Sequence, residues 1–175
     1  MVRVVISGPP GSGKTTQALL IAKHYNLKYF SAGRIFREIA TARGLTLEEL
    51  SKQALTDPSI DIEVDMKTIE AAKEDNIVID GHVAAWIVAD LVDFKIYTTA
   101  PLMLRVLRIA GRNGVPLEKA LEETLVRENS QRRRFMEYYG IDIRDLSIFD
   151  LIINTKNIGI NEAFEIIKKA LENKL

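Results

Sequence analysis

Cysteine is absent from the 175 residues of this chain. That excludes a disulfide framework and a thiolate metal site, and it fits a reducing cytoplasm, the expected location. No apolar run is long enough to cross a bilayer, and the N-terminus enters a strand with no signal-peptide pattern. Repeats and low-complexity tracts are also missing. So is an excess of charge of either sign, with 24 basic residues against 24 acidic ones. This balance argues against a general nucleic-acid binder or a membrane-surface binder. What is present is 47% hydrophobic residues over the length of one domain, enough for a full core.

One stretch stands out from this ordinary composition. Gly8-Pro9-Pro10-Gly11-Ser12-Gly13-Lys14-Thr15 fits the phosphate-binding pattern G-x-x-x-x-G-K-[ST] without a mismatch. Its setting is the required one, since Val2–Ile6 reads as a buried strand and Thr15-Thr16 opens a helix. Glycines let backbone N–H groups turn inward and approach phosphate oxygens, and the helix N-terminus adds a partial positive charge. In this pattern Lys14 reaches the β- and γ-phosphates of ATP and the Thr15 hydroxyl ligates Mg²⁺. Residues 8–16 are therefore the expected donor-nucleotide site.

Further strands are expected at about 27–30, 76–79, 94–98 and 150–153. Helices are expected at 33–42, after Thr46, and at about 59–73, 102–111, 117–138 and the C-terminus, where Ala163, Ile166, Ile167, Ala170 and Leu171 have core spacing. Short apolar strands alternating with helices predict an α/β fold. This is a P-loop NTPase-like three-layer sandwich, with a five-stranded parallel sheet covered on both faces. One domain spans 1–175, with a helical insertion at about 31–75 and an arginine-rich flap at about 105–135. Ligands bind such sheets beyond the carboxyl ends of the strands.

The residues that follow each strand are thus the candidates. Ser31, Gly33, Arg34 and Arg37 follow the second strand. They fit either a phosphate grip or a helix N-cap with two solvated arginines. Asp80-Gly81-His82 follows the third. Asp80 opposite the glycine-rich loop suits Mg²⁺, with a helix cap as the plainer alternative. His82 reads more readily as a polar packing residue than as a base, and Trp86 as core rather than a stacking platform. Eight of the twelve arginines lie between Pro101 and Asp150, which suggests a flap that closes over phosphates and excludes water. Arg127 and Arg134 share one helix face and are the pair favoured for the migrating phosphoryl group. A solvated helix face accounts for others, Arg132 and Arg133 among them.

Together these elements resemble the nucleoside monophosphate kinases, and among them the short archaeal type of cytidylate kinase. Val4–Gly13, Ser31-Ala32-Gly33 and the late segment Tyr139-Gly140-Ile141-Asp142 … Asp145-Leu146-Ser147-Ile148-Phe149-Asp150-Leu151 carry the resemblance. It implies transfer of a phosphoryl group from ATP to CMP or dCMP, with Mg²⁺, by a monomer or weak homodimer. Lys14, Arg127 and Arg134 would be catalytic, and Thr15 and Asp80 would hold the metal. Ser31, Gly33, Arg37, Asp80, Gly81 and His82 would bind the acceptor, with Asp61 and Asp65 reading the base or simply solvated. His82 departs from the family, which has arginine there. Kinases for AMP or UMP, or a nucleotide-dependent switch, are the alternative readings.

Overall fold

The computed structural model describes residues 1–172. Strands β1 (Arg3–Ser7), β2 (Lys28–Ser31), β3 (Ile77–Asp80), β4 (Phe94–Thr99) and β5 (Leu151–Asn154) form one parallel sheet in the order β2-β3-β1-β4-β5. Helices α1 (Lys14–Tyr25), α2 (Ala32–Ala42), α3 (Leu47–Gln53), α4 (Ser59–Ala72), α5 (Ala84–Ile87), α6 (Leu102–Asn113), α7 (Leu117–Tyr139) and α8 (Ile160–Glu172) connect or follow them. None is long and apolar enough to cross a membrane among the described residues.

Strand alternation builds two cores from one sheet. Val4, Ile6, Val78 and Ile96 face Ala18 and Ile21 of α1 and Ile167 and Leu171 of α8. Val5, Ile77 and Ile79 point the other way, onto Ala71 and Ala72 of α4 and Ala84, Ala85 and Val88 around α5. The five-stranded three-layer expectation therefore holds, because central strands buried on both sides must be apolar at every position.

A third cluster lies outside these two, where Ile35, Ile39, Leu50, Ile60 and Val64 join α2, α3 and α4. The segment between β2 and β3 thus carries its own small core. Thr46 starts α3 with the expected capping box, its hydroxyl accepting from Glu49 N at 3.1 Å and Glu49 Oε2 accepting from Thr46 N at 2.7 Å. A fourth cluster, Val106, Ile109 and Ala120, fastens α6 to α7.

Some boundaries differ from the sequence reading. Strands β2, β3 and β5 each begin and end one residue later than expected, and α5 was not anticipated. The helix α5 is a single turn whose first residues pack against Ser7, too short for periodicity to reveal it. On α8, Ala163, Ile167 and Leu171 are buried, but Ile166 is 43% exposed. Trp86 is half-buried and edge-on to Phe149 and Tyr97, and its indole N–H donates to Asp145 O at 3.2 Å, so it is a packing residue.

Candidate active site

The loop after β1 is held from behind. Arg105 of α6, 6% exposed, donates to Ala100 O at 2.9 Å and Pro10 O at 3.0 Å and pairs with Glu128. Arg108, one turn later, donates to Gly11 O at 3.1 Å and to Thr155 Oγ1 and O at 2.9 Å each. Thr155 Oγ1 in turn donates to Ser12 O at 3.0 Å. The carbonyls of Pro10, Gly11 and Ser12 are therefore spent on partners outside the loop. Ser12 N donates to Pro9 O at 3.2 Å, and the N–H groups of Gly11 and Gly13 are left for an anion that the loop would cradle. Gly8 and Gly11 are required at this crossing. A Cβ at Gly8 would stand 2.1 Å from Thr98 O, and one at Gly11 2.6 Å from Arg105 O. Gly13, at φ 94°, caps α1 in a left-handed conformation that glycine adopts without strain. Arg105 and Arg108 belong to the segment read as a flap, yet they brace the loop instead. Their spacing, and a threonine just after β5, were the available signals.

On the open side, cations converge. Burial lowers the Lys14 pKa, Asp80 opposes that shift, and Arg127, Arg112 and Arg37 add to it. Burial likewise lowers Arg127, reinforced by Arg37 and Arg112. Four cations from α1, α2, α6 and α7 thus repel one another around a single mouth. Such an arrangement costs stability unless an anion with several charges enters. Arg37 also lies beside Gly33, where a Cβ would meet its guanidinium at 3.5 Å. The serine of this element serves differently. Ser31 Oγ accepts from Arg34 N at 3.2 Å and caps α2, while Arg34 is exposed toward Glu38. Ser31 and Arg34 thus belong to the helix cap, while Arg37 lies in the cation cluster.

Asp80 is 2% exposed at the end of β3. Its Oδ2 accepts from Thr15 Oγ1 at 2.6 Å and from Tyr29 OH at 2.9 Å. Burial, with Asp80 next, pushes the Tyr29 hydroxyl up to about 12, so it stays a donor. Asp80 Oδ1 is buried without a hydrogen-bond partner. A hydroxyl and a carboxylate in contact, with one carboxylate oxygen unused, fit a hard divalent cation such as Mg²⁺. No group of three His, Cys, Asp or Glu gathers among the described residues, so phosphate and water oxygens would complete its shell. Thr15 and Asp80 are the residues that would hold it.

Ser7 and the two residues after Asp80 lock the loops together. Ser7 Oγ donates to Gly81 O at 2.8 Å and accepts from Ala85 N at 3.0 Å, and Gly8 N donates to His82 O at 3.3 Å. Gly81 is needed because a Cβ there would lie 2.8 Å from Ala84 Cβ and 2.9 Å from Ala32 Cβ. Burial pushes the His82 imidazole down to about 3, with Lys14 and Arg127 next in effect and a hydrogen bond to Gln131 opposing. The imidazole is therefore neutral at the position where the resemblance implied an arginine.

Two cavities are lined by members of this cation cluster, one by Lys14 and Arg112 and the other by Arg127. One, of about 500 Å³, runs past Lys14, Thr15 and Thr16 between Arg108 and Arg112 on one wall and Ile158 and Ile160 on the other. Its cationic end and aliphatic flank suit a nucleoside triphosphate. The other lies between Gly33 and Phe36 of α2, Asp61 and Asp65 of α4, and Arg127 and Gln131 of α7. Here the sequence reading of Arg134 needs correction. Arg134 is 2% exposed, and it donates to Asp61 Oδ2 at 2.6 Å and Oδ1 at 3.2 Å, besides Ser130. Its charge is neutralised within the wall, and Arg112, not Arg134, accompanies Arg127 at the mouth. Asp61, 4% exposed, is likewise no solvated carboxylate. Burial pushes the Asp65 carboxyl up to about 7, and its Oδ2 accepts from Tyr139 OH at 2.7 Å. Gln131 went unnoticed in the sequence, although it stands one helical turn after Arg127.

A family model described as an AAA domain matches residues 7–134. Over 98% of this chain and 94% of the relative, it is 67% identical to a protein of Desulfurococcus amylolyticus named cytidylate kinase. A second protein of that name, from Staphylothermus marinus, is 59% identical over 98% of this chain and 97% of its own. The chain belongs to the cytidylate kinase family. Solved structures extend the likeness of fold beyond this family. A shikimate kinase from Acinetobacter baumannii superposes with a TM-score of 0.64 at 17% identity, over all of this chain and 96% of its own. An uncharacterized protein from Eubacterium ventriosum gives 0.71 at 20%, over 98% and 99%. This likeness is one of fold.

Proposed function

We propose that this enzyme transfers the γ-phosphoryl group of ATP to CMP, giving ADP and CDP, and that it also accepts dCMP. The observation that carries the reading is a pair of cavities, one lined by Lys14 and the other by Arg127, two cations that repel each other, within a chain of this family. A nucleotide switch has no use for a second cavity lined by a cation of the same cluster. The acceptor phosphate oxygen is already a nucleophile, so no covalent enzyme intermediate is needed. ATP lies along the loop with its phosphates against free backbone N–H groups of the loop and of the first turn of α1. Lys14 neutralises charge on the β- and γ-phosphates. Arg37 holds the acceptor phosphate, and Arg127 and Arg112 meet the charge that spreads over the migrating group. Thr15 and Asp80 would hold Mg²⁺, which when bound would supply charge neutralisation at the donor phosphates. His82, neutral, orients without adding charge.

The test is ADP formation from Mg-ATP with CMP, dCMP, UMP, AMP and GMP offered separately, alongside a control without acceptor. Acceptor-dependent turnover greatest with CMP or dCMP is expected. Turnover with none of the five overturns the reading and favours the switch.

A further inference from the structure

The two oxygens of the Asp80 carboxylate are used unequally. Each offers two lone pairs. Oδ2 accepts two hydrogen bonds, from Thr15 Oγ1 at 2.6 Å and from Tyr29 OH at 2.9 Å, and is filled. Oδ1 accepts none, although Asp80 is 2% exposed. Thr15 belongs to the glycine-rich loop, but Tyr29 has no part in that motif and reaches Asp80 through the geometry of the sheet. Strand β2 pairs with β3 so that Ser31 stands opposite Asp80 and Tyr29 opposite Val78. Side chains two apart on a strand share a face, so Tyr29 and Asp80 are diagonal neighbours across the two strands, within reach of a long side chain. The Tyr29 ring packs against the core shared with α1 and α8, and its hydroxyl ends on the carboxylate.

We propose that Tyr29 sets the metal preference of the donor site, by leaving Asp80 a single oxygen with which to approach a divalent cation. The inference rests on the reading of Thr15 and Asp80 as the residues that hold Mg²⁺. The Thr15 hydroxyl gives its proton to Asp80 and keeps its lone pairs for the ion. With Oδ2 filled, only Oδ1 is left to face the ion or a water bound to it. A grip through both oxygens would require breaking the Tyr29 hydrogen bond. Mg²⁺ loses nothing by this, because it demands octahedral geometry, retains several waters and takes one oxygen from a carboxylate. Ca²⁺ takes more oxygens in looser geometry and gains from a carboxylate that offers both. Tyr29 thus acts through Asp80, as a positioning residue. Tyr29→Phe keeps the ring and its packing and removes only the hydroxyl, which separates this role from a structural one. Losing the hydroxyl also concentrates charge on Asp80, which acts on both ions, so the ratio between them carries the signal.

The experiment measures the Kd of ADP by calorimetric titration with Mg²⁺, with Ca²⁺ and without divalent metal, so that binding is read apart from turnover. It compares wild type, Tyr29→Phe and Tyr29→Leu, a second variant without the hydroxyl, with thermal unfolding of each as a check of folding. Tyr25→Phe is the control, since it removes a tyrosine hydroxyl that donates to Lys168 O at 3.4 Å, at the opposite end of α1 from the loop. In both Tyr29 variants the preference for Mg²⁺ over Ca²⁺ falls about fivefold, chiefly through tighter binding of ADP with Ca²⁺. Affinity for ADP without metal stays as in wild type, and Tyr25→Phe keeps the wild-type preference. An unchanged preference in a folded Tyr29 variant, or the same fall in Tyr25→Phe, overturns the inference alone. A wild type whose affinity for ADP is indifferent to both ions overturns the reading of Thr15 and Asp80 as metal-holding residues as well.

Discussion

Replacing Lys14 by alanine removes the lysine of the cation cluster, which lines the cavity of about 500 Å³. Turnover should fall by about 10²–10³, while ATP still binds through the backbone groups of the loop. Rapid-mixing kinetics with separate nucleotide titration check this, and near-normal turnover would remove Lys14 from the chemistry. Arg127 and Arg134 make a sharper contrast at the same scale. Both lie on α7, seven positions apart, and pattern alone assigns them one role. Arg127→Ala should lower turnover with little loss of stability, because burial and repulsion from Arg37 and Arg112 outweigh the attraction of Glu123 and Glu128. Arg134→Ala leaves the buried Asp61 without a partner. The expected cost is about 3–5 kcal/mol of folding stability, read by urea denaturation. If instead Arg134→Ala leaves stability intact and abolishes turnover, Arg134 is the catalytic member of the pair.

At the scale of elements, specific side-chain hydrogen bonds join α7 to α3 and its C-terminal end. Ser130 Oγ donates to Ser51 O at 2.6 Å, and Tyr138 OH donates to Ala54 O at 2.7 Å. The capping box at Thr46 holds the start of α3 and so supports the wall of the acceptor cavity from outside. Thr46→Ala should cost about 1 kcal/mol and leave kcat nearly unchanged, since no donor or acceptor contact passes through the cap. Urea denaturation beside steady-state kinetics checks both halves. The capping box was legible beforehand because it is a local pattern of two side chains three residues apart. Helix α6 was legible only as a helix. That Arg105 and Arg108 point back at the loop depends on how α6 lies against β4 and β5, and no local pattern encodes that.

Across the molecule, two buried groups respond to pH with opposite signs. His82 has its folded pKa lowered from about 6.5 to about 3. The unfolded chain then binds the proton more readily, and the stability present above pH 6.5 is lost as pH falls toward 3. Asp65 is raised from 3.8 to about 7. Its contribution is fully present below 3.8 and is lost as pH rises through 7. Between pH 4 and 6.5 the two oppose each other and flatten the wild-type profile. Substitution separates them. His82→Gln should gain relative stability as pH falls from 6.5 to 3, and Asp65→Asn as pH rises from 4 to 7. Denaturation midpoints across pH 3–8 show this, and parallel profiles for wild type and both variants would contradict it.

The sequence by itself determined the parallel sheet, the glycine-rich loop with its lysine and threonine, and the family. These follow from short-range rules: alternation within a strand, caps within a turn, and glycine where a Cβ cannot fit. Only the tertiary structure decided which cations share the mouth, that Arg134 belongs to Asp61, and that the Asp80 carboxylate carries an unused oxygen beside Thr15. The physical reason is that burial and charge add through space. Asp61 and Arg134 are 73 positions apart in the chain and form a hydrogen-bonded pair in the fold. Arg37, Arg112 and Arg127 come from three different helices to meet Lys14.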